Sequence, residues 1–229
     1  MSEWWTYSPG NFLMFSARTY YRLFERHNAA LWPGHVVALL AGAAVFALLW
    51  RRPEPRTARI TCGVLAAGWL VVALAYFWLR YSTIHTGGKW FAAAFGAQAL
   101  ALAWGGIVRP QLELESKPTA RRRTGLGLCL FSVLLYPLVG RLLGRPWMQA
   151  EVFGLAPDPT VLATLGLLLM ARCTAWWLWI VPVAWSFFSA LTLWPLHAPE
   201  ALGMGIVPVI SVALAGWDRR KSGRLPASG

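Results

Sequence analysis

The sequence has little charge, and acidic residues are especially scarce. Charged residues make up 13% of its 229 residues, and only 9 residues are Asp or Glu, whereas ordinary globular domains are about 25% charged. Hydrophobic residues make up 57%. This composition excludes an intrinsically disordered protein, a coiled coil and a soluble enzyme of ordinary composition. It is typical of a protein that crosses a membrane several times.

Cysteine is also scarce. Cys62, Cys129 and Cys173 stand singly in apolar surroundings, without the paired spacing of a disulfide framework or a zinc site. We therefore interpret them as small core residues. The first residues lack the basic segment, apolar stretch and cleavage site of a signal peptide. We expect this segment to remain in the mature protein, within a single membrane domain over residues 1–229.

Long apolar runs dominate the chain. A helix needs about 20 apolar residues to cross a bilayer core of roughly 30 Å, and several runs approach that length. We therefore predict an all-α fold, a polytopic transmembrane helix bundle of about seven spans, followed by a basic cytoplasmic tail at 218–229. The predicted spans are 32–50, 60–79, 90–108, 124–143, 160–171, 174–194 and 200–217.

The stretch 161–194 is either one broken helix or two helices separated at Arg172. Segments 51–59, 109–123 and 218–229 hold 4, 5 and 4 Lys or Arg, and two helices place Arg172 on the same side as these segments. Because basic loops face the cytoplasm, we predict a bacterial inner membrane protein with its N-terminus outside and its C-terminus inside.

The short predicted fifth span begins at a run of prolines and polar residues. In Pro157-Asp158-Pro159-Thr160 we expect Asp158 to be the N-cap and Pro159 the first helical residue. A carboxylate at the mouth of a short span is either a substrate entry or the cap of an ordinary helix.

An amphipathic helix is predicted before the first span, within residues 1–31. Ser16 is a suitable N-cap, and Arg18, Arg22 and Arg26 follow four residues apart on one face. This pattern is typical of a helix that lies in the membrane interface. Its guanidinium groups either bind an anionic lipid or solute or pair with Glu25, Glu151 and Asp158.

The N-terminal segment also carries a resemblance to a known family. Its motifs are Trp4-Trp5-Thr6-Tyr7-Ser8, Asn11-Phe12-Leu13-Met14-Phe15-Ser16 and Arg18-Thr19-Tyr20-Tyr21-Arg22-Leu23-Phe24-Glu25. Together with 157–170 and the last two spans, they resemble an uncharacterised bacterial family of multi-spanning membrane proteins, a domain of unknown function. The resemblance implies an architecture and no activity. Family members often carry Cys-Pro-Thr where this chain has Asp158-Pro159-Thr160, which weakens a thiol or soft-metal role there.

The predicted topology places all four histidines and five carboxylates on the outer side. Imidazole and carboxylate groups together can bind a divalent metal or relay protons. No metal-binding spacing such as HExxH is present, so local hydrogen bonding is the better explanation for each histidine. The candidate ligand-binding residues are Arg18, Arg22, Arg26, His35, His85, Gln98, Glu151, Asp158 and His197.

The predicted spans themselves contain few polar groups. Gln98 lies in the third span beside the small residues Ala93, Ala97, Ala101 and Gly105, whose spacing permits close helix packing. We expect this helix to be central and Gln98 to form an interhelical hydrogen bond. No Asp or Glu lies inside a predicted span, which argues against the proton relay of a pump.

Two classes of function remain open, and a third is less favoured. The first is a small-solute or ion transporter or permeation protein, which a cavity lined by His35, Gln98 and Asp158 would support. The second is a non-catalytic accessory, assembly or scaffold subunit, which a solid bundle with an exposed tryptophan face would support. The third is a membrane metal-binding or redox protein, and no catalytic constellation or cofactor is identified. Expected partners are the bilayer with its anionic head groups and a membrane protein or second copy, whereas the +12 net charge reflects topology and lipid contact, not nucleic acid.

Overall fold

The computed structural model describes residues 15–51, 53–109 and 111–222, with the backbone alone for Cys173 and residues 218–222. The motif residues before Phe15 and the tail after Ser222 lie outside this part of the chain. The fold is all-α, as predicted. Its helices are α1 (Ala17–Leu31), α2 (Gly34–Arg51), α3 (Pro55–Val71), α4 (Gly88–Ala103), α5 (Ala120–Leu130), α6 (Tyr136–Leu142), α7 (Pro157–Met170), α8 (Ile180–Leu193) and α9 (Glu200–Ser222).

Three π-helical segments lengthen these helices. Val72–Trp78 continues α3, Trp104–Val108 continues α4, and Phe131–Leu135 joins α5 to α6. The last segment directly precedes Pro137, whose missing N–H removes one helical hydrogen bond and favours such a local change of winding. Six helical segments of the described chain are long and apolar enough to cross a membrane.

The remaining apolar helix, α7, is too short by that measure and lies at the centre of the bundle. All 14 of its residues are buried, and at 1.5 Å per residue it is about 21 Å long. The prediction that the helix containing Gln98 is central is therefore wrong. Ala93 and Ala97 of its small-residue stripe are exposed, while Phe95 and Leu102 face the core.

Helices α5 and α7 pack with their backbones in close contact. A methyl group added at Gly125 would lie 2.5 Å from the Gly166 carbonyl oxygen, and one at Gly166 would lie 2.7 Å from the Gly125 oxygen. Further along, the Cys129 thiol faces the Ala163 oxygen at 3.6 Å. These pairings run in opposite directions along the two helices, so α5 and α7 are antiparallel.

A short antiparallel β pair shows where α7 ends. Glu113–Leu114 (β1) pairs with Ala171–Cys173 (β2), so the chain leaving α7 meets the connection between α4 and α5. We call this the basic end of the bundle. The opposite end, formed by connections 84–87, 143–156 and 194–199, is the acidic end. The break at β2 agrees with the predicted separation near Arg172, while the count of seven spans stays a prediction.

Arginines at the basic end cap helices. One Arg122 nitrogen donates to the carbonyl oxygens of Leu49 and Trp50, each at 3.2 Å, at the end of α2. Arg121 donates to the Ala171 oxygen at 2.7 Å, just after α7. These carbonyls lack helical partners, so the side chains replace the missing donors. Part of the basic cluster predicted to contact lipid thus holds the helices together.

The start of α7 differs from the prediction. The helix begins at Pro157, and its N-cap position is Ala156. Asp158 is therefore a residue of the first turn, and its carboxylate reaches sideways to other helices instead of capping its own. Asp158 lies outside the predicted span 160–171 yet inside the helix, because the helix begins three residues before that span, so the bundle contains a buried acidic residue there.

Candidate functional site

Asp158 is buried at the acidic end, where it joins α7 to two other helices. Trp185 Nε1 donates to Oδ1 at 2.8 Å, while Ser189 Oγ and Tyr136 OH donate to Oδ2 at 2.7 and 3.4 Å. Hydrogen bonds to a carboxylate stabilise its ionised form. The first-turn position adds the favourable field of the helix N-terminus. These contacts offset part of the cost of burying the Asp158 carboxylate, which is only 1% exposed.

Arg145 holds two further carboxylates at the acidic end. Its guanidinium bonds to Glu200 Oε1 and lies 3.8 Å from Glu151 Oε1. It also lies 4.5 Å from the centroid of the Tyr21 ring, in a cation–π contact. The three ionic side chains are 13%, 5% and 7% exposed for Arg145, Glu151 and Glu200. These charges are therefore largely removed from water.

We call Arg145, Glu151, Asp158 and Glu200, with Tyr136, the carboxylate cluster. It holds three carboxyl groups and one guanidinium, so its full ionisation would leave an excess of negative charge. Oε2 of Glu151 and Oε2 of Glu200 are buried without a hydrogen-bond partner. Burial raises the pKa of Glu151 well above its usual range, and the nearby Asp158 raises it further while Arg145 opposes the rise. Glu151 lies in the connection before α7, and its carboxyl group is therefore well placed to hold a proton.

The connection that carries Glu151 is fixed by α3 and α7. Gly154 adopts a φ of +75°, which favours glycine, and its N–H donates to Thr160 Oγ1 at 2.9 Å. A methyl group added at Gly68 of α3 would lie 2.9 Å from the Gly154 Cα. This close backbone contact sets the depth at which the connection enters the bundle, and with it the burial of Glu151.

Helix α1 closes the acidic end through its apolar face. His27 is fully buried and its Nε2 donates to the Leu155 oxygen at 2.9 Å, while Asn28 Nδ2 donates to the Met148 and Ala150 oxygens at 2.8 and 2.9 Å. Phe24 stacks on Tyr76 of the α3 extension, with ring centroids 5.1 Å apart. Burial lowers the pKa of His27 from 6.5 to about 4, so α1 docks with a neutral imidazole.

Acidification is therefore expected to weaken the attachment of α1. Because the folded-state pKa of His27 is about 4 and its ordinary value is 6.5, the unfolded state binds more protons in between. Its contribution to the free energy of unfolding is complete above pH 6.5 and decreases as the pH falls, by about 3 kcal/mol at pH 4. Thermal unfolding of the wild type and of His27→Gln between pH 7 and 4 measures this.

The Glu151 carboxyl changes stability in the opposite direction, since its raised pKa makes the folded state bind more protons. The difference between the wild type and His27→Gln isolates the imidazole. We expect that difference to depend on pH, whereas His197→Gln, at an exposed position, should leave the pH profile of the wild type unchanged. Identical profiles for the wild type and His27→Gln would contradict the assignment.

The predicted arginine stripe lies elsewhere. Ser16 caps α1 as predicted, with Oγ accepting from Thr19 N–H at 3.3 Å. The side chains of Arg18, Arg22 and Arg26 are all exposed. The predicted pairing of these arginines with Glu25, Glu151 and Asp158 is not found among the described residues. Glu25 accepts from Gln149 Nε2 at 2.7 Å, and the other two acids belong to the carboxylate cluster.

The remaining predicted residues have separate local partners. His35 Nε2 donates to Asn28 Oδ1 at 3.1 Å, and His85 Nδ1 accepts from the Gly87 N–H at 2.9 Å. Gln98 is buried and donates to the Leu178 oxygen at 3.1 Å. His197 is exposed. The described contacts do not bring together His35, Gln98 and Asp158, whose shared cavity would have supported transport. Gln98 instead bonds to the helical turn that precedes α8.

Of the nine candidates, Glu151 and Asp158 come together in the carboxylate cluster. Sequence reasoning missed Arg145, Glu200 and Tyr136 as their partners. A weak signal was present, because Arg145-Pro146 and Pro199-Glu200 both adjoin helix ends on the side predicted to be outer. Nothing in the spacing shows that α6 and α9 meet there, so the pairing required the tertiary structure.

A cavity of about 330 Å³ adjoins the carboxylate cluster and shares Tyr136 and Glu200 with it. Its other walls are apolar. They are formed by helices α5, α6, α7 and α9 and by the π-helical segment between α5 and α6. Within the described residues, no three His, Cys, Asp or Glu side chains lie close enough together to hold a metal ion. The arrangement as described is suited to binding protons and hydrogen-bond donors.

Comparison with known proteins identifies the family and leaves the activity open. No curated protein and no solved structure matches the chain significantly. A model of a family of unknown function, DUF6064, matches residues 17–225. The match includes the whole carboxylate cluster and begins after the first two predicted N-terminal motifs. The chain therefore belongs to the DUF6064 family of unknown function.

Proposed function

We propose that this protein transports a small ion across a membrane, that the ion is the proton, and that the carboxylate cluster binds it. The observation that carries the proposal is the burial of three carboxyl groups with a single guanidinium, two carboxylate oxygens being left without partners. Ionisable groups inside a membrane bundle are costly, and their usual role is in an ion or substrate pathway.

The two predicted acids of the cluster have different surroundings, which supports different roles. Asp158 accepts hydrogen bonds from three side chains, which oppose the effect of burial on its carboxylate. Glu151 keeps one oxygen unpartnered, and burial raises its pKa. Neighbouring carboxyls whose environments separate their proton affinities form a donor and acceptor pair. A proton held by Glu151 also removes part of the excess negative charge of the cluster.

The membrane setting is part of the same proposal. We place the protein in a bacterial inner membrane with seven passes, its N-terminus outside and its basic end in the cytoplasm. The β pair supports this arrangement, because it brings Arg172 within 3.8 Å of Glu115 at the basic end. The exposed arginines of α1 support an interfacial position of that helix, in contact with anionic head groups.

Proton flux into reconstituted vesicles tests the function. Liposomes containing the purified protein and a trapped pH-sensitive dye are given a potassium diffusion potential with valinomycin. We expect internal acidification faster than in protein-free liposomes, because the potential drives protons through the cluster. Glu151→Gln and Asp158→Asn should each reduce the rate to that of protein-free liposomes.

A matched control replaces a carboxylate outside the cluster. Glu113 is exposed on β1 at the basic end, so Glu113→Gln should retain wild-type flux. Circular dichroism and gel filtration establish that each variant is folded. Flux that survives both cluster substitutions, or a wild type no more permeable to protons than lipid alone, would contradict the proposal.

A second candidate function is a non-catalytic accessory or scaffold subunit of a membrane complex. Two observations favour it. Among the described residues, His35, Gln98 and Asp158 bond to separate partners, and Trp176 at the basic end is 70% exposed. This role would be favoured if the wild type showed no proton flux and a defined membrane protein co-purified with it from the native membrane.

A further inference from the structure

The cavity beside the carboxylate cluster has the form of a ligand site. Its volume of about 330 Å³ falls at the lower end of the roughly 300–1,000 Å³ typical of small-molecule sites. The walls come from α6, α7, α9 and the chain before α6. Leu128, Val139, Leu162, Met204 and Val207 are among the apolar residues that line it.

Among the described residues that line this cavity, two have polar side chains, and both belong to the carboxylate cluster. They are Tyr136 and Glu200. Arg145 bonds to Oε1 of Glu200, whereas Oε2 is buried and has no hydrogen-bond partner. A buried oxygen without a partner is costly. Because Oε2 itself is buried, a ligand in the cavity reaches it after a small shift of the Glu200 side chain, and a hydrogen bond donated to it then removes that cost.

The charges of the cluster select the head group of such a ligand. Arg145 contacts Glu151 and Glu200, and Asp158 is close enough to Glu151 for electrostatic repulsion between the two carboxylates. A positively charged donor therefore reduces the excess of negative charge, whereas an anionic head group adds to it. Electrostatic complementarity of this kind decides which ligands are accepted and which are rejected.

The cavity opens at the apolar surface of the bundle. Leu142, which lines it, is 84% exposed, and the neighbouring lining residue Leu143 is exposed as well. In a membrane protein such a surface faces hydrocarbon chains, so an occupant arrives from the bilayer and needs an apolar body.

We propose that this cavity binds a single-chain cationic amphiphile of the long-chain alkylamine class. Its ammonium group donates to Glu200 Oε2, and its chain lies among the apolar side chains of α6, α7 and α9. This inference concerns a separate ligand and does not rest on proton transport. A protein that conducts no protons can still bind the amine, and the reverse also holds.

Ligand counting by native mass spectrometry tests the proposal. The protein is released from nanodiscs after equilibration with dodecylamine or, separately, with dodecanoate. We expect one dodecylamine bound per protein and no dodecanoate above background. Glu200→Gln should weaken dodecylamine binding about tenfold, because a hydrogen bond to a charged group is lost.

A cavity-filling variant tests the site without touching the ionic residues. Gly203 lines the cavity, and a methyl group added there meets no atom within 4 Å, so Gly203→Leu should fold and occupy the space. We expect it to bind no dodecylamine. Gly127→Leu is the matched control, because Gly127 is also helical and unobstructed but lies outside the cavity lining.

Two results would overturn the proposal. One is dodecylamine binding by Gly203→Leu equal to that of Gly127→Leu, which would place the amine elsewhere. The other is equal binding of dodecylamine and dodecanoate by the wild type, which would show an apolar groove without head-group selection.

Discussion

Replacing Arg145 with glutamine is expected to lower the free energy of unfolding by about 3–5 kcal/mol, as when one partner of a buried ion pair is removed. The substitution leaves Glu151 and Glu200, both nearly buried, without the guanidinium that contacts them. It also removes the cation that contacts the Tyr21 ring. Thermal unfolding in mild detergent, followed by the circular dichroism of the helices, measures the change.

The pH dependence separates this electrostatic effect from lost packing. Without Arg145 the carboxyls of the cluster are more easily protonated, and protonation removes their repulsion. We therefore expect the difference in Tm between the wild type and Arg145→Gln to shrink as the pH falls from about 8 to about 5. Adding Glu200→Gln to Arg145→Gln should restore part of the stability, since the two sites are coupled.

Arg141→Gln is the matched control for Arg145→Gln. Arg141 lies four residues earlier in the chain, within α6, and is exposed. Its substitution should leave Tm close to that of the wild type, because exposed charges contribute about 1 kcal/mol or less. Equal effects of the two substitutions, or a loss at Arg145 that does not change with pH, would contradict the charge balance derived for the carboxylate cluster.

Substituting alanine for Gly125 and for Gly127 should change stability in opposite directions. Both glycines lie in α5, where alanine favours the helix by about 1 kcal/mol. At Gly127 the added methyl group meets nothing within 4 Å, so Gly127→Ala should raise Tm. At Gly125 it lies 2.5 Å from the Gly166 oxygen, and Gly125→Ala should destabilise the protein by about 1–3 kcal/mol through overpacking.

The opposite signs make this comparison independent of the detergent and of the unfolding method. Tm measured for the two variants in one buffer is sufficient. If Gly125→Ala were more stable than the wild type, the backbones of α5 and α7 would not be in close contact at Gly125 and Gly166.

Much of the helical architecture could be predicted from the chain alone. The predicted span 32–50 corresponds to Gly34–Arg51, and 90–108 to the helical segment ending at Val108. The reason is that a bilayer requires about 20 consecutive apolar residues, a constraint that can be read locally. The first turn of α7 was misjudged because Pro157 and Asp158 lie outside the apolar run yet inside the helix.

The candidate site was predicted only in part. Glu151 and Asp158 were identified because the predicted topology places them on the outer side together with the histidines. The arginines of α1 follow a clear periodic pattern, yet their side chains are exposed and lie outside the carboxylate cluster. Periodicity shows which residues share a face of a helix, but it does not show which other helix, if any, covers that face.

The sequence by itself determined that this chain is an all-α protein with several membrane-length helices, because hydrophobicity and helix length are properties of consecutive residues. Only the tertiary structure decided that the short helix α7 is central and that Arg145, Glu200 and Tyr136 meet Glu151 and Asp158. These contacts join residues from α6, α9 and the connection before α7, up to 55 positions apart for Arg145 and Glu200. Their proximity depends on how the helices pack, and close backbone contacts such as Gly125 with Gly166 determine that packing.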